Sequence, residues 1–394
     1  MIKDSFHIKI ALFLNLFILS NYFFLSINFS EFTLKINFIV FLLILTLFYF
    51  KNILENIYLK IFFLVIVFIS LGTPLSGWDS RSIWLFHAKR IFYDNSIFSV
   101  ADNYADFSHN GYPALASAFA SSLAVLVGYW NEVFPKIAFS MIFLPPLIIT
   151  YAFIKKSSYI IFLSIVLFII GKFLFNGLVD GLVAVYFCLS ALLMYQLIIL
   201  NNQSYKKILS FNLVSFCFFT SLTLIKNEGI ALLFILFITA FLIKIYKKEL
   251  GNDFFKLTLM SLSFLPIILW KYFCYSEGIG NDYINNDTLQ NLSYRINDLE
   301  SYKLIFYFLI LNEKFLVSLL FFFLCFWINW DRNLFYYISI IVILYIFVLF
   351  FIYLSTPFDL YFQLNSTAAR VIKSLSFLTA FFALYNLDLK IRES

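Results

Sequence analysis

Asp79 heads the segment whose residue types could most readily do chemistry. It stands in Gly77-Trp78-Asp79-Ser80-Arg81-Ser82-Ile83-Trp84, followed by Phe86-His87-Ala88-Lys89-Arg90. The segment begins where a long apolar run ends. A carboxylate there can face a cavity at a membrane surface, and polar groups near membrane depth tend to be functional. The ordinary alternative is a solvated loop with interfacial tryptophans. The same polar stretch closes on His109-Asn110-Gly111-Tyr112-Pro113. His109 could bind a hydroxyl, a phosphate or a metal, or be a plain loop residue. With only His87 nearby, metal-ligand spacing is absent.

Further along, Asp180 sits in Asn176-Gly177-Leu178-Val179-Asp180-Gly181 between two apolar runs. It could be a site carboxylate or merely cap a helix, because the helix dipole favours a negative charge at that end. In Lys226-Asn227-Glu228-Gly229, Lys226 and Glu228 could pair in a tight turn, or Lys226 could present its charge to a phosphate. Arg370 and Lys373 follow Ser366-Thr367-Ala368-Ala369. An arginine suits two-pronged phosphate recognition, and its plainer role is snorkelling to the interface.

The elements that must position these residues are membrane helices. The 394-residue chain is 62% hydrophobic and 13% charged, against about a quarter charged in soluble domains. Its apolar runs approach the roughly 20 residues that cross a bilayer. Such a backbone satisfies its own hydrogen bonds only as helix. Runs fall at 8–29, 34–50, 58–73, 134–154, 159–175, 182–200, 208–225, 230–246, 257–273, 315–329, 334–354 and 374–387. The expectation is an all-α polytopic membrane protein, one bundle of about twelve transmembrane helices. The four cysteines lie in or beside apolar runs and read as packing residues. The net charge of +6 reflects basic cytoplasmic loops and implies no nucleic-acid partner.

Lys51, Lys60, Lys155, Lys156, Lys206, Lys207, Lys244, Lys247, Lys248, Arg332, Lys390 and Arg392 follow alternate helix ends. They share the cytoplasmic side if both termini are inside. The scheme requires 113–130, rich in Ala and Ser, to be an interfacial or re-entrant helix rather than a span. The polar segments 74–112, 275–303 and 355–373 then face outward, with the turns at 176–181 and 226–229.

Taken together, these motifs resemble the lipid-dependent glycosyltransferases of the GT-C fold. The likeness is to bacterial relatives of protein O-mannosyltransferases, aminoarabinose transferases and rhizobial galacturonosyltransferases. It rests on Gly77-Trp78-Asp79, His109-Asn110-Gly111-Tyr112-Pro113, Asp180, Lys226-Asn227-Glu228-Gly229, and the tail Tyr353-Leu354-Ser355-Thr356-Pro357-Phe358-Asp359-Leu360 with Leu364-Asn365-Ser366-Thr367 and Arg370. It covers roughly 71–373. It departs from the family in having three helices before the first large loop, where one is usual, and Ser80 where many members carry a second acid.

The resemblance implies an inverting hexosyl transfer at the outer face of the bacterial inner membrane. The donor would be a polyprenyl-phosphate-linked sugar, and the acceptor an envelope glycan such as lipopolysaccharide, a lipid or a protein. Asp79 would be the general base, with Asp180 and His109 orienting base or acceptor. Arg370, Lys226, Glu228, Arg81 and Tyr112 would bind substrate and phosphate. A divalent metal is left open, and no other cofactor is implied. The rival readings are an envelope polysaccharide polymerase and a lipid-linked-glycan flippase or transporter. The latter should carry ionisable residues deep in several helices, whereas here Lys172 and Lys271 are the main such cases.

Overall fold

A computed structural model describes residues 5–46, 57–75, 77–199, 205–280 and 286–393. Among them every regular element is helical. The first part comprises α1 (Ser5–Ser26), α2 (Glu31–Ile44) and α3 (Ile57–Gly72). A π-helical turn (Ser80–Trp84) leads into α4 (Leu85–Asp94) and two short 3-10 turns. Next come α5 (Leu115–Val127), α6 (Ile137–Ile142), α7 (Leu144–Phe153), α8 (Lys156–Ile169), α9 (Asp180–Met194), α10 (Tyr205–Ile225) and α11 (Glu228–Tyr246). The last part holds α12 (Leu250–Ser261), α13 (Leu265–Ser276), α14 (Asn286–Arg295), α15 (Leu299–Ile310), α16 (Glu313–Ile328), α17 (Arg332–Ser355), α18 (Leu360–Val371) and α19 (Lys373–Glu393).

Seven helical stretches among the described residues are long and apolar enough to cross a membrane: Phe6–Ser26, Phe134–Phe153, Asp180–Leu197, Glu228–Tyr246, Asp253–Ser276, Arg332–Ser355 and Leu360–Arg392. An eighth arises if α15 and α16, bent by 67° at their junction, form one span. Shorter apolar helices occupy 57–72, 115–127, 156–169 and 211–225. The chain is therefore an all-α polytopic membrane protein. The end of the expected run 34–50, Lys51, and residues 281–285 of the expected loop 275–303 lie outside the described residues.

The expected runs agree with the helices in most places. Two differ. The last run, expected to be short, belongs to α19, which extends to Glu393. Its polar end is tolerated because Asp388 is fully engaged, accepting from Lys155 N (2.9 Å), Ser158 Oγ (2.6 Å) and Arg392 Nε (2.7 Å). The apolar helix α15 was not among the expected runs. It is cut from α16 at Asn312, whose side chain caps α16 by accepting from Phe315 N.

The central helix is α9, buried along its whole length, as its continuous apolar sequence requires. It packs on α10, α11 and α19. Segment 113–130 is helical as α5, and Leu115 to Val125 are all buried. At 13 residues it rises only ~20 Å, short of the ~30 Å hydrocarbon core. It packs inside the protein against α1, α2 and α4. All four cysteines are buried free thiols.

Basic side chains tie one end of the bundle together. Lys155 Nζ donates to Ile391 O (2.5 Å), Lys390 Nζ to Ile328 O (2.9 Å), and Arg392 to Phe153 O. Lys373 lies at the other end of the 21-residue α19, ~30 Å away at 1.5 Å per residue.

Candidate functional site

Five of the sequence-derived candidates meet in one ion-pair network. Asp79 precedes the π-helical turn after α3. Asp180 opens α9, Glu228 opens α11 with Lys226 just before it, and Arg370 ends α18. Arg370 donates from Nη2 to Asp79 Oδ2 and to both oxygens of Asp180, at 2.9 and 3.2 Å. Lys226 Nζ lies 3.0 Å from Asp180 Oδ1 and 2.7 Å from Glu228 Oε1. Four segments from 79 to 370 thus contribute to one cluster.

Local sequence makes this approach close. Gly229 lies so near α10 that an added Cβ would stand 1.9 Å from the Leu222 carbonyl oxygen. No side chain fits, so the glycine lets the start of α11 close onto α10. Gly177, in the left-handed region at φ +77°, turns the chain from the end of α8 into α9 and backs onto Ser80 and Leu75. Glycine adopts that conformation without steric cost.

Access differs sharply between the carboxylates. The Asp180 side chain is 2% exposed and that of Asp79 21%. Asp180 is not the helix cap: Val179 occupies that position, without a side-chain cap hydrogen bond. The cap-only alternative therefore gives way to a buried counter-ion for two cations. Arg370 likewise does not snorkel, since its guanidinium turns to Asp79 and Asp180. Burial works against the Lys226 charge, but Asp180 and then Glu228 outweigh it and hold the ammonium well above the ordinary lysine range. The cluster holds two cations against three carboxylates, one negative charge in excess. Arg370 Nε is buried without a partner among the described residues, a donor that is costly to leave unmet.

Aromatic residues stand beside Asp79. Trp78 is exposed and meets His109 edge-on, with centroids 6.2 Å apart. His109 stacks on Tyr112 (5.0 Å), and Tyr112 on Trp84 (5.6 Å). Tyr112 also lies within electrostatic range of Lys226. His109 and Tyr112 therefore border the network. Arg81 does not join it: its side chain is exposed and points to no carboxylate among the described residues.

Several residues that hold this loop were not foreseen. His87 Nε2 and Asn110 Oδ1 are 3.2 Å apart, and Asn110 Nδ2 donates to Asn103 Oδ1 and Tyr104 O. Burial, with smaller contributions from Arg90 and His109, pushes the His87 pKa down to about 4 against the opposing effect of the Asn110 contact. Lys271 and Trp270 of α13 both donate to Gly111 O, at 2.8 and 3.3 Å. The one available signal was Lys271 itself, a lysine inside an apolar run. Among the described residues, no three His, Cys, Asp or Glu side chains stand together as a metal site would require.

Comparison with known proteins returns no matching family model, no matching curated protein and no matching solved structure.

Proposed function

We propose that this chain is an integral-membrane glycosyltransferase of GT-C type, with about twelve spans. It moves a sugar from a polyprenyl-phosphate donor to an envelope glycan, lipid or protein at the outer face of the inner membrane. The observation that carries this reading is the convergence of Asp79, Asp180, Lys226, Glu228 and Arg370 into one cluster. Structural ion pairs also occur in this chain, as Lys244 with Asp253. This cluster differs in joining four segments distant in sequence and in setting a partly exposed carboxylate, Asp79, next to the Trp78–His109 aromatic pair. Its end of the bundle lies away from the basic ties of Lys155, Lys390 and Arg392, which the positive-inside bias puts in the cytoplasm.

The chemistry follows from the difference in access. Asp180 is sealed and fixes Lys226 and Arg370. Arg370 in turn holds one oxygen of Asp79 and orients the carboxylate. Oδ1 of Asp79, without a side-chain partner among the described residues, accepts the proton of the acceptor hydroxyl. The oxygen so activated attacks the anomeric carbon, the bond from that carbon to the lipid phosphate breaks, and the phosphate leaves with the electron pair. The exposed Trp78 ring is then available to stack on the sugar.

A comparison of lipid-linked and surface glycans with and without the gene tests the reading. Loss of one sugar, with accumulation of its lipid-linked donor, is the expected result. Shortened chains built from an intact repeat would instead indicate a polymerase. Retention of complete lipid-linked glycan on the inner leaflet would indicate a flippase.

A further inference from the structure

Three lysines beyond the ion-pair cluster meet at the end of α8. Lys314, in the first turn of α16, donates to Phe168 O (2.7 Å) and stands 5.5 Å from the Phe168 ring centroid. Lys373, which opens α19, lies 4.6 Å from the Phe173 ring centroid and donates to Ala369 O. Lys172 lies in the 3-10 turn between these phenylalanines and is exposed. Both Lys314 and Lys172 are close enough to act on the charge of Lys373. Among the described residues, none of the three is ion-paired with a carboxylate. They occupy the end of the bundle opposite Lys155, Lys390 and Arg392, so the positive-inside bias does not account for them.

Asp180 also acts on Lys373, but that carboxylate is already paired with Lys226 and Arg370, and like charges with no ion-pair partner of their own repel one another unless an anion joins them. Each ammonium has three donors, and the carbonyls of Phe168 and Ala369 occupy one each on Lys314 and Lys373. The surroundings indicate where the anion comes from. Ile160, Ile161, Leu167 and Phe168 of α8 are exposed apolar residues, a surface that faces lipid in a membrane protein. A cavity of about 330 Å³ lies between α3 and α8, lined by Phe62, Ile66, Ile69, Leu163, Leu167 and Leu174 among others. Its Leu174 wall is two residues from Lys172.

We propose that Lys172, Lys314 and Lys373 bind the phosphate of an anionic bilayer phospholipid, one of whose acyl chains lies in the cavity between α3 and α8. The site adjoins the Asp79 cluster, since Asp180 and Arg370 also act on the charge of Lys373, but its three lysines take no part in the proposed transfer. A basic residue near a membrane surface contributes about fivefold in affinity for anionic lipid.

Native mass spectrometry of the whole protein in detergent tests this, with dioleoyl-phosphatidylglycerol or dioleoyl-phosphatidylcholine added. Phosphatidylglycerol is expected to bind in preference. The double variant Lys314→Gln/Lys373→Gln should lose about 25-fold of that preference, Lys314→Arg/Lys373→Arg should keep it, and Lys303→Gln should leave it unchanged. Equal binding of the two lipids overturns the proposal, as does a preference that survives the double Gln variant. Inorganic phosphate binding as tightly as phosphatidylglycerol would overturn the lipid assignment. Tighter binding of polyprenyl phosphate through the same lysines would assign them to the sugar donor and overturn it too. If Lys314 serves only to cap α8 and Lys373 only to cap α18, the Gln variants will melt lower by the same margin in either lipid, and that too overturns the proposal.

Discussion

Replacing Asp180 by Asn should be the most damaging single change to the cluster's stability. The carboxylate is 2% exposed and balances two cations, Lys226 at 3.0 Å and Arg370 at 2.9 Å. Removing one partner of a buried ion pair typically costs about 3–5 kcal/mol, because the charge left behind is uncompensated. Here Lys226 keeps Glu228 and Arg370 keeps Asp79, so the lower end, about 3 kcal/mol, is expected. The comparison variant is Glu300→Gln, which breaks the exposed pair with Lys303 at 2.7 Å. Exposed pairs contribute at most about 1 kcal/mol. Reversible unfolding in mixed micelles gives both values. Adding Lys226→Met completes a double-mutant cycle, and the double variant should recover part of the loss. If Asp180→Asn costs less than about 1 kcal/mol, or if the two changes add without coupling, Asp180 is not the buried counter-ion described here.

The remaining expectations concern pH and orientation. The His87 pKa, about 4 in the folded protein against ~6.5 unfolded, means that the unfolded chain binds the proton more readily. Stability should be complete above pH 6.5 and fall with acidification, by about 2 kcal/mol at pH 5 and on the order of 3 below pH 4. Unfolding midpoints of wild type and His87→Gln at pH 7 and 5 check this, and an equal acid loss in both would remove His87 as the cause. Ala101→Cys, at an exposed position beside Asp102, should react with an impermeant thiol reagent in intact spheroplasts. The four native thiols are buried and should stay silent, while labelling only after lysis would put the site on the cytoplasmic side.

Helix content was legible because apolar runs near 20 residues permit little else in a bilayer. Gly77-Trp78-Asp79, Asp180, Lys226-Asn227-Glu228 and Arg370 were legible as polar interruptions at helix ends. Their mutual contact was not, because residues 79, 180, 226 and 370 are joined only by the packing of α9 against α10, α11 and α19. Sequence also could not rank the carboxylates, since burial separates Asp180 from Asp79 and spacing does not. Arg81 looked equivalent to Arg370 as a cation near Asp79, yet within the π-helical turn its side chain is exposed. The α15–α16 bend escaped notice because Glu313 and Lys314 divide the apolar stretch. The lysine trio was invisible because its members lie 142 and 59 residues apart in sequence and meet only where α8, α16 and α19 end together.

The most direct measurement of the central claim is sugar transfer by Asp79→Asn in nanodiscs supplied with a polyprenyl-phosphate-linked sugar and an envelope acceptor. Asn keeps the size of the side chain and can still accept from Arg370, but it cannot take the acceptor's proton. A general base typically contributes about 10²–10⁴-fold to the rate. The account therefore predicts a loss of that size, with unchanged insertion and near-normal donor binding, while Asp106→Asn on the same loop retains most activity. Transfer by Asp79→Asn at close to the wild-type rate would contradict it.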